Sequence, residues 1–339
     1  MRVAPQGQPM ALEALVPKLA EQAEKPYTGI VIPQAADEAL QLRQGRAVTY
    51  VNPYTGEVLG GVNQGVRDGF MTVFRLHRWL LLDDGIGRPI TGAATAIFVV
   101  ILVSGMVLWW PKRIKQLLGA MRFRQNANWK GQNYDLHVVL GFWAFVPLLV
   151  MAVSAFNWSY NAPFKAAVYG VLDGQPAPER RRPAESEGPT VTALPYAALV
   201  AETNRIYPYA GPIRMTFPHA GEPVEVSKVH MPSAVSMPYV DALTLDATTA
   251  TVVKSAPFAE KSRGAQVMSL IKDIHVGTVF GGLSLGVYLV ACLVGTSLPL
   301  TGALHWWSKL QAKRRARARQ AAVAAEAEAP QPIKSGSSM

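Results

Sequence analysis

Four histidines stand at or near the ends of long uncharged segments, and two of them have matched surroundings. His77 precedes Gly105 by 28 residues and His275 precedes Gly302 by 27, and a closely similar sequence surrounds each glycine. These sequences are SGMVLWWPK at 104–112 and TGALHWWSK at 301–309. Imidazole is a strong ligand for haem iron, and two imidazoles on one iron leave no open position, which suits electron transfer. We therefore predict that His77 and His275 bind a haem iron from opposite sides; the alternative is that each only caps a helix near lipid.

A third histidine, His137, begins another uncharged segment, which the charge pattern places at the opposite membrane face from the first pair. A helix rises ~1.5 Å per residue and the two faces are about 30 Å apart, so His137 needs a second haem. The chain offers His305 as a partner at comparable depth, although the repeat has leucine at the matching position. Cys292 is the single cysteine and no Cys-x-x-Cys-His sequence occurs, so the haem would be b-type and non-covalent. The predicted cofactor-binding residues for one or two haems are His77, His275, His137 and His305, the first three as iron ligands.

The uncharged segments are long enough to cross a membrane. Each exceeds the roughly 20 residues that a helix needs to span a bilayer. Helices satisfy their own backbone hydrogen bonds in lipid, so we predict helices rather than strands. Buried core helices of a soluble protein are the alternative, but these segments exceed the usual core-helix length. The predicted transmembrane helices are 90–111, 137–160 and 275–308, with membrane lipid as a partner.

The positive charge is concentrated beyond the first and third segments. Loops rich in lysine and arginine stay in the cytoplasm, so 112–136 and 309–339 are predicted to be cytoplasmic. The net charge of +10 is explained by this topology, and no nucleic-acid partner is predicted. We expect a multi-pass protein of the bacterial inner membrane with a cytoplasmic carboxyl terminus. The basic residues are Lys112, Arg113, Lys115, Arg122, Arg124, Lys130, Lys309, Lys313, Arg314, Arg315, Arg317 and Arg319.

The segments outside the membrane have the pattern of two copies of a small α+β unit, at 1–62 and 161–270. Each has a helical segment followed by short alternating strands and turns. Tyr50-Val51-Asn52 in the first matches Tyr239-Val240-Asp241 in the second. Segment 63–89 is predicted to be an interfacial helix and loop, and the tail after the basic part of 309–339 to be disordered. An external amino-terminal unit needs export, so we expect a further span upstream in the natural protein. The predicted fold is a membrane α-helical bundle with two extracytoplasmic α+β units.

The order of these parts resembles the PepSY-associated transmembrane helix family, whose members include iron-regulated, siderophore-reductase-like proteins. The resemblance covers residues 10 to about 310. It implies four spans with two PepSY-like units, and di-haem inner-membrane reductases that act on ferric siderophores. This chain departs from the family by lacking the first span, which would supply a further cytoplasmic-side histidine. The matching sequences are YVNPYTGEV at 50–58, FRLHRWL at 74–80, Ser104-Gly105 with Trp109-Trp110-Pro111, Asp135-Leu136-His137 with Gly141, and IHVG at 274–277 with Gly281.

Three functions follow from these features. The first is electron transfer through haem b from an unidentified cytoplasmic donor to periplasmic ferric iron, which the resemblance extends to ferric siderophores, so that the protein would be an oxidoreductase. The second is a membrane-anchored, non-enzymatic PepSY module that binds a periplasmic protein or peptide. The third is a subunit of an iron-uptake complex without redox activity of its own. The sequence contains no nucleophile with a base and no phosphate-binding loop, so neither hydrolysis nor nucleotide chemistry is predicted.

Overall fold

The computed structural model describes residues 1–45, 47–61, 64–124, 127–178, 194–219, 221–230 and 237–328. Its α-helices are α1 (Leu12–Glu21), α2 (Gln64–Trp79), α3 (Asp84–Trp109), α4 (Leu117–Ala120), α5 (Trp129–Asp135), α6 (Gly141–Ser159), α7 (Asn161–Asp173), α8 (Tyr196–Ile206), α9 (Arg263–Val276) and α10 (Gly281–Glu328). Its strands are β1 (Gly29–Ile32), β2 (Leu40–Gln44), β3 (Ala47–Val51), β4 (Val58–Gly60), β5 (Ile213–Thr216), β6 (Val224–His230), β7 (Tyr239–Leu245) and β8 (Val252–Ala256).

The chain divides into two compact units. The first, here called the sheet unit, comprises Met1–Phe98 and Val150–Gly286. The second, here called the helical unit, comprises Val99–Leu149 and the chain from Val287 onward. Three helices are long and apolar enough to span a membrane: α3, the continuous helix Trp129–Ser159, and Gly281–Val323 of α10. The protein is therefore a multi-pass membrane protein, as its composition predicts.

The strands form one eight-stranded sheet, to which the two predicted α+β units contribute four strands each. The strand order is β4-β3-β2-β1-β5-β6-β7-β8, and β1 and β5 pair antiparallel at its centre. Ile30 lies opposite Met215 across this seam, and both are buried. Ile30 also pairs with Leu42, as Met215 pairs with Val226, so the two halves are related by an approximate two-fold axis at the seam.

A single apolar core covers one face of this sheet. Leu15 and Val16 of α1 and Leu199 of α8 pack on strand residues of both halves, and all are almost fully buried. The Glu13 side chain accepts a hydrogen bond of 2.6 Å from the backbone N–H of Ala197 at the start of α8. A carboxylate there satisfies a free N–H group and favours the positive helix end. Each half alone is too small for a sufficient core, and joining the sheets solves that problem.

The internal repeat is real, but its register differs from the predicted one. Asn52 and Asp246 each begin the same turn, in which the side-chain oxygen accepts a hydrogen bond of 2.9 Å from the backbone N–H two residues later. Both turns also follow a strand irregularity one residue earlier. The residue that matches Asn52 is therefore Asp246, and the predicted match with Asp241 is wrong by five residues. The identical residues Tyr50-Val51 and Tyr239-Val240 favoured the predicted alignment of the two repeats, whereas the turn geometry gives the correct one.

The repeated turn gives a stability prediction at its fifth residue. Gly56 has φ 71° and its counterpart Ala250 has φ 57°, both in the left-handed region. A Cβ on Gly56 would lie 3.1 Å from Leu15 Cδ1 and 3.3 Å from Met10 Sδ. Gly56→Ala should lower the free energy of unfolding by about 1–2 kcal/mol, because an L-residue pays that much in this conformation. Thermal unfolding of the full chain in detergent measures this loss of stability.

Two variants serve as controls for this prediction. Gly69→Ala lies in α2 with open space around it and should leave the melting temperature unchanged or raise it slightly. Ala250→Gly should change the stability by less than about 1 kcal/mol, because relief of left-handed strain is offset by loss of a buried methyl group. Equal melting temperatures for Gly56→Ala and the parent would contradict the turn assignment.

A sharp corner joins α2 to α3. Leu80 and Leu81 both have positive φ, 55° and 61°, and the Thr91 hydroxyl donates to the carbonyl of Arg78 at 3.0 Å. A Cβ on Gly87 would lie 2.1 Å from the Trp79 carbonyl oxygen, so the start of α3 lies directly against the end of α2. Helix α3 begins at Asp84, whereas the sequence analysis placed a loop as far as residue 89. Gly87, which falls in the predicted loop, allows this close approach because it carries no side chain.

The third apolar segment is divided between two helices. Helix α9 ends at Val276, Gly277 takes φ 80°, and α10 begins at Gly281. The predicted span from 275 to 308 therefore contains a break at 277–280. At its other end α10 continues to Glu328, because the alanine- and arginine-rich sequence after residue 309 has high helix propensity. Part of the predicted disordered tail is thus helical, and 329–339 lie outside the described residues.

Candidate functional site

The structure brings His77 and His275 together. His77 lies in the last turn of α2 and His275 is the penultimate residue of α9, and their ring centres are 6.4 Å apart at an interplanar angle of 44°. A metal–imidazole bond is about 2 Å long and the ring centre lies about 1 Å beyond the nitrogen, so two imidazoles on opposite sides of one metal have centres about 6 Å apart. The observed spacing therefore fits one iron atom between the two rings.

His275 is held by the end of α6. Its Nδ1 lies 3.0 Å from the Met151 carbonyl oxygen and 3.1 Å from Ser154 Oγ, which leaves Nε2 for other partners. The Trp158 ring packs 4.9 Å from the imidazole centre. Burial lowers the pKa of His275, the Met151 hydrogen bond opposes this, and the nearby His77 ring lowers it further. The neutral imidazole, the form that binds a metal, is favoured.

The end of α9 fixes where His275 points. Gly277 adopts the left-handed conformation and its N–H donates to the Asp273 carbonyl at 2.9 Å. The Thr278 hydroxyl donates to the Asp273 carboxylate at 2.7 Å, and Ser284 Oγ donates to the Gly277 carbonyl at 2.7 Å. These bonds satisfy groups that a helix end leaves free. Gly277 therefore serves as the helix terminator.

His77 lies on an exposed, apolar face of α2. Phe70, Val73 and Phe74 precede it at helical spacing and are 74%, 64% and 42% exposed. An exposed apolar surface of this kind suits contact with lipid or with a large apolar cofactor. Of the arginines near His77 in the sequence, Arg88 forms an ion pair with Asp84, and the Arg78 guanidinium lies 5.0 Å from the Trp79 ring centre.

His137 lies in the helical unit and in unusual backbone. Residues Leu136–Leu140 form a π-helical turn between α5 and α6. Single π turns inside α-helices are frequent at functional sites. His137 Nδ1 lies 3.0 Å from Thr301 Oγ1, and a Cβ on Gly302 would lie 3.0 Å from His137 Cε1. The glycine thus leaves room for the imidazole beside α10.

The residue two positions before His137 anchors the preceding basic loop. Asp135 is 4% exposed and accepts hydrogen bonds from the Arg124 guanidinium at 2.7 Å and from its backbone N–H at 3.0 Å. A buried carboxylate requires such partners. On the other side, the Asn133 amide donates to the Thr301 carbonyl at 2.9 Å. Loop, α5 and α10 therefore meet next to His137.

His305 lies one turn beyond Thr301 on α10. Among the ring contacts of the described residues it meets Tyr134, at a centre-to-centre distance of 5.0 Å, rather than His137. His137 and His305 thus line the same helix contact without forming a ring pair like that of His77 and His275. Their role as cofactor ligands stays a prediction.

Sequence reasoning missed several residues of these sites. Ser154, Thr301 and Trp158 contact the two histidines but carry no signal in an apolar segment, where serine and threonine are common. Away from these sites, His230 lies half-buried on the sheet with its ring stacked 4.4 Å from Tyr239, and its Nδ1 has no hydrogen-bond partner in the described part of the chain. The stacking pair lies directly opposite in β6 and β7, which the alternation of the strands alone does not reveal.

The comparisons with known proteins agree with this architecture. No curated protein matches the chain. The family model described as PepSY-associated TM region matches residues 1–309, which include the sheet, α9, the first two spans, the third span as far as residue 309, and all four candidate histidines. The chain therefore belongs to the family of proteins with a PepSY-associated TM region.

Proposed function

We propose that the protein is a haem b-containing electron-transfer protein of the bacterial inner membrane, with its spans packed as a helical bundle. The observation that carries the proposal is the 6.4 Å separation of the His77 and His275 ring centres. Two imidazoles at this distance suit axial ligation of one iron, and the apolar side chains of α2 suit the porphyrin. The family and the three spans support the membrane setting.

Haem, when bound, supplies a one-electron iron(III)/iron(II) couple. The chain's own contribution at this site is to hold the imidazoles. Met151 and Ser154 engage His275 Nδ1, so that Nε2 is the nitrogen left to hold the iron. With His77 and His275 both holding the iron, no position would be left for water or oxygen, which would favour electron transfer over ligand chemistry.

The helical unit provides a second candidate site at His137. Its imidazole is similarly held through Nδ1, by Thr301 on α10. We propose that His137 binds a second haem, with His305 as the candidate for the other ligand. Two haems in series would carry electrons from a cytoplasmic donor towards the periplasm. Ferric iron, free or in a siderophore, is the proposed acceptor, because reduction weakens ferric chelates.

Spectroscopy of the purified full chain tests the proposal. We expect a b-type absorption spectrum that is reducible by dithionite, with one or two non-covalent haems per chain by acid extraction. Adding a ferric siderophore to the reduced protein should reoxidise the haem. A colourless protein after expression with added haem precursor would refute the proposal, and a haem protein that ferric chelates do not reoxidise would refute the acceptor.

A binding module is the second candidate. The outermost strand β8 is largely exposed and offers an unpaired edge, where an extended peptide could add a strand. In that case the spans would only anchor the sheet. A haem-free protein that retains a periplasmic peptide on the β8 edge would favour this function over the first.

A further inference from the structure

Two of the candidate haem ligands, His275 and His137, are held by the same arrangement of groups. In each case a hydroxyl on a neighbouring helix contacts the imidazole. At His275 this is Ser154, which is 3% exposed. Ser154 Oγ lies 2.7 Å from the Val150 carbonyl oxygen and 3.0 Å from that of Met151, so its single hydrogen is donated to its own helix. The oxygen can therefore only accept from His275 Nδ1 at 3.1 Å.

Thr301 repeats this arrangement at His137. Its Oγ1 lies 3.1 Å from the Ser297 carbonyl oxygen and 3.2 Å from that of Leu298, so its hydrogen is also donated to its own helix. His137 Nδ1 is 3.0 Å from the threonine oxygen, and the Leu298 carbonyl, three residues before Thr301, lies close to the His137 imidazole. Each imidazole thus faces a side-chain hydroxyl and a backbone carbonyl. The carbonyl belongs to the residue three positions before the one that carries the hydroxyl.

The hydroxyl oxygen and the backbone carbonyl oxygen beside each imidazole can both only accept a hydrogen bond. This determines which ring nitrogen carries the hydrogen. A carbonyl has no hydrogen, and the hydroxyl hydrogen is already used. In this half-buried apolar setting an imidazole nitrogen without its hydrogen would leave these acceptors facing a lone pair, which is unfavourable. The hydrogen therefore lies on Nδ1 and the lone pair on Nε2.

We propose that Ser154 and Thr301 are positioning residues that fix His275 and His137 as Nδ1–H tautomers with Nε2 directed to the cofactor. The proposal rests on the proposed function for the identity of the ligand, but not for the tautomer. Groups that bond the second nitrogen of a ligating histidine raise its basicity and orient its ring. A hydroxyl that is bonded back to its own helix can do this inside lipid without an unsatisfied donor.

Nitrogen NMR of the full chain in detergent, haem-free and labelled with ¹⁵N-histidine, tests the tautomers at a pH where imidazole is neutral. Single histidine variants assign the signals. We expect His275 and His137 to be protonated at Nδ1 in the parent. Thr301→Val and Ser154→Ala should each lower the Nδ1–H population of their own histidine only, with the smaller change at His275, because the Met151 carbonyl still accepts from its Nδ1. Unchanged tautomers in both variants would overturn the proposal.

Haem affinity provides the second readout. Loss of such a partner should weaken haem binding at that site by about 10- to 100-fold, and Thr301→Ser, which keeps the hydroxyl, should restore it. The matched control is Thr296→Val, because Thr296 donates to the Cys292 carbonyl on the same helix and contacts neither histidine. A Thr296→Val effect equal to that of Thr301→Val would refute a specific role. Correct tautomers in a protein that never binds haem would refute the proposed function and leave this inference intact.

Discussion

Replacing His275 by alanine should remove one haem from the protein, and replacing His77 should remove the same one. The two rings are 6.4 Å apart, and neither alone can hold a six-coordinate iron. Each single variant should lose one haem per chain by acid extraction, with the same absorption bands missing. The double variant should lose no more than either single variant, because residues that act as a unit are not additive.

His230→Ala is the matched control for this experiment. His230 lies in the same unit, half-buried in an aromatic stack on the sheet, and should not change the haem content. If His77→Ala and His275→Ala removed different bands, the two residues would belong to different sites. Full haem content in both would exclude them as ligands.

Gly87→Ala should disrupt the corner that positions His77. The new Cβ would lie 2.1 Å from the Trp79 carbonyl oxygen and 2.7 Å from its carbonyl carbon, and backbone atoms cannot move aside as a side chain can. Overpacking of side chains costs about 1–3 kcal/mol, and a backbone clash should reach or exceed the upper end. The expected result is a lower melting temperature together with a weakened signal of the haem bound by His77 and His275.

Gly85→Ala is the control that tests whether any glycine-to-alanine change at the start of α3 has the same effect. Gly85 lies two residues earlier in the same helix, and a Cβ there meets no atom within 4 Å. It should keep both the stability and the haem content. A Gly87→Ala protein with unchanged melting temperature and spectrum would contradict the observed approach of α3 to α2.

The elements of this fold could be predicted from local sequence because their signals are local. Alternating apolar residues give the strands, and long uncharged segments give the spans. The matched distances of His77 and His275 from two similar sequences also led to the residues whose rings meet. Their role as ligands remains to be tested.

Other features of the structure could not be predicted from local sequence patterns, and most of them depend on contacts between distant segments. The pairing of Ile30 with Met215 joins two halves through strands that are far apart in the sequence, and no local pattern shows which strands form that contact. The break at Gly277 was hidden inside an apolar segment because hydropathy does not record φ. The contact of Thr301 with His137 joins residues 164 positions apart.

The central seam of the sheet has a consequence for how the protein is made. The chain between Gly29 and Thr216, which are paired in the finished sheet, contains α3 and α6. At a synthesis rate of about 5–20 residues per second, the ribosome needs about 10–40 s to make the intervening segment. During that time β1 has one open edge, which is prone to pair with other chains. Biogenesis of this protein should therefore depend on prompt insertion of the second span, or on a chaperone that covers the open edge of β1 until β5 is made.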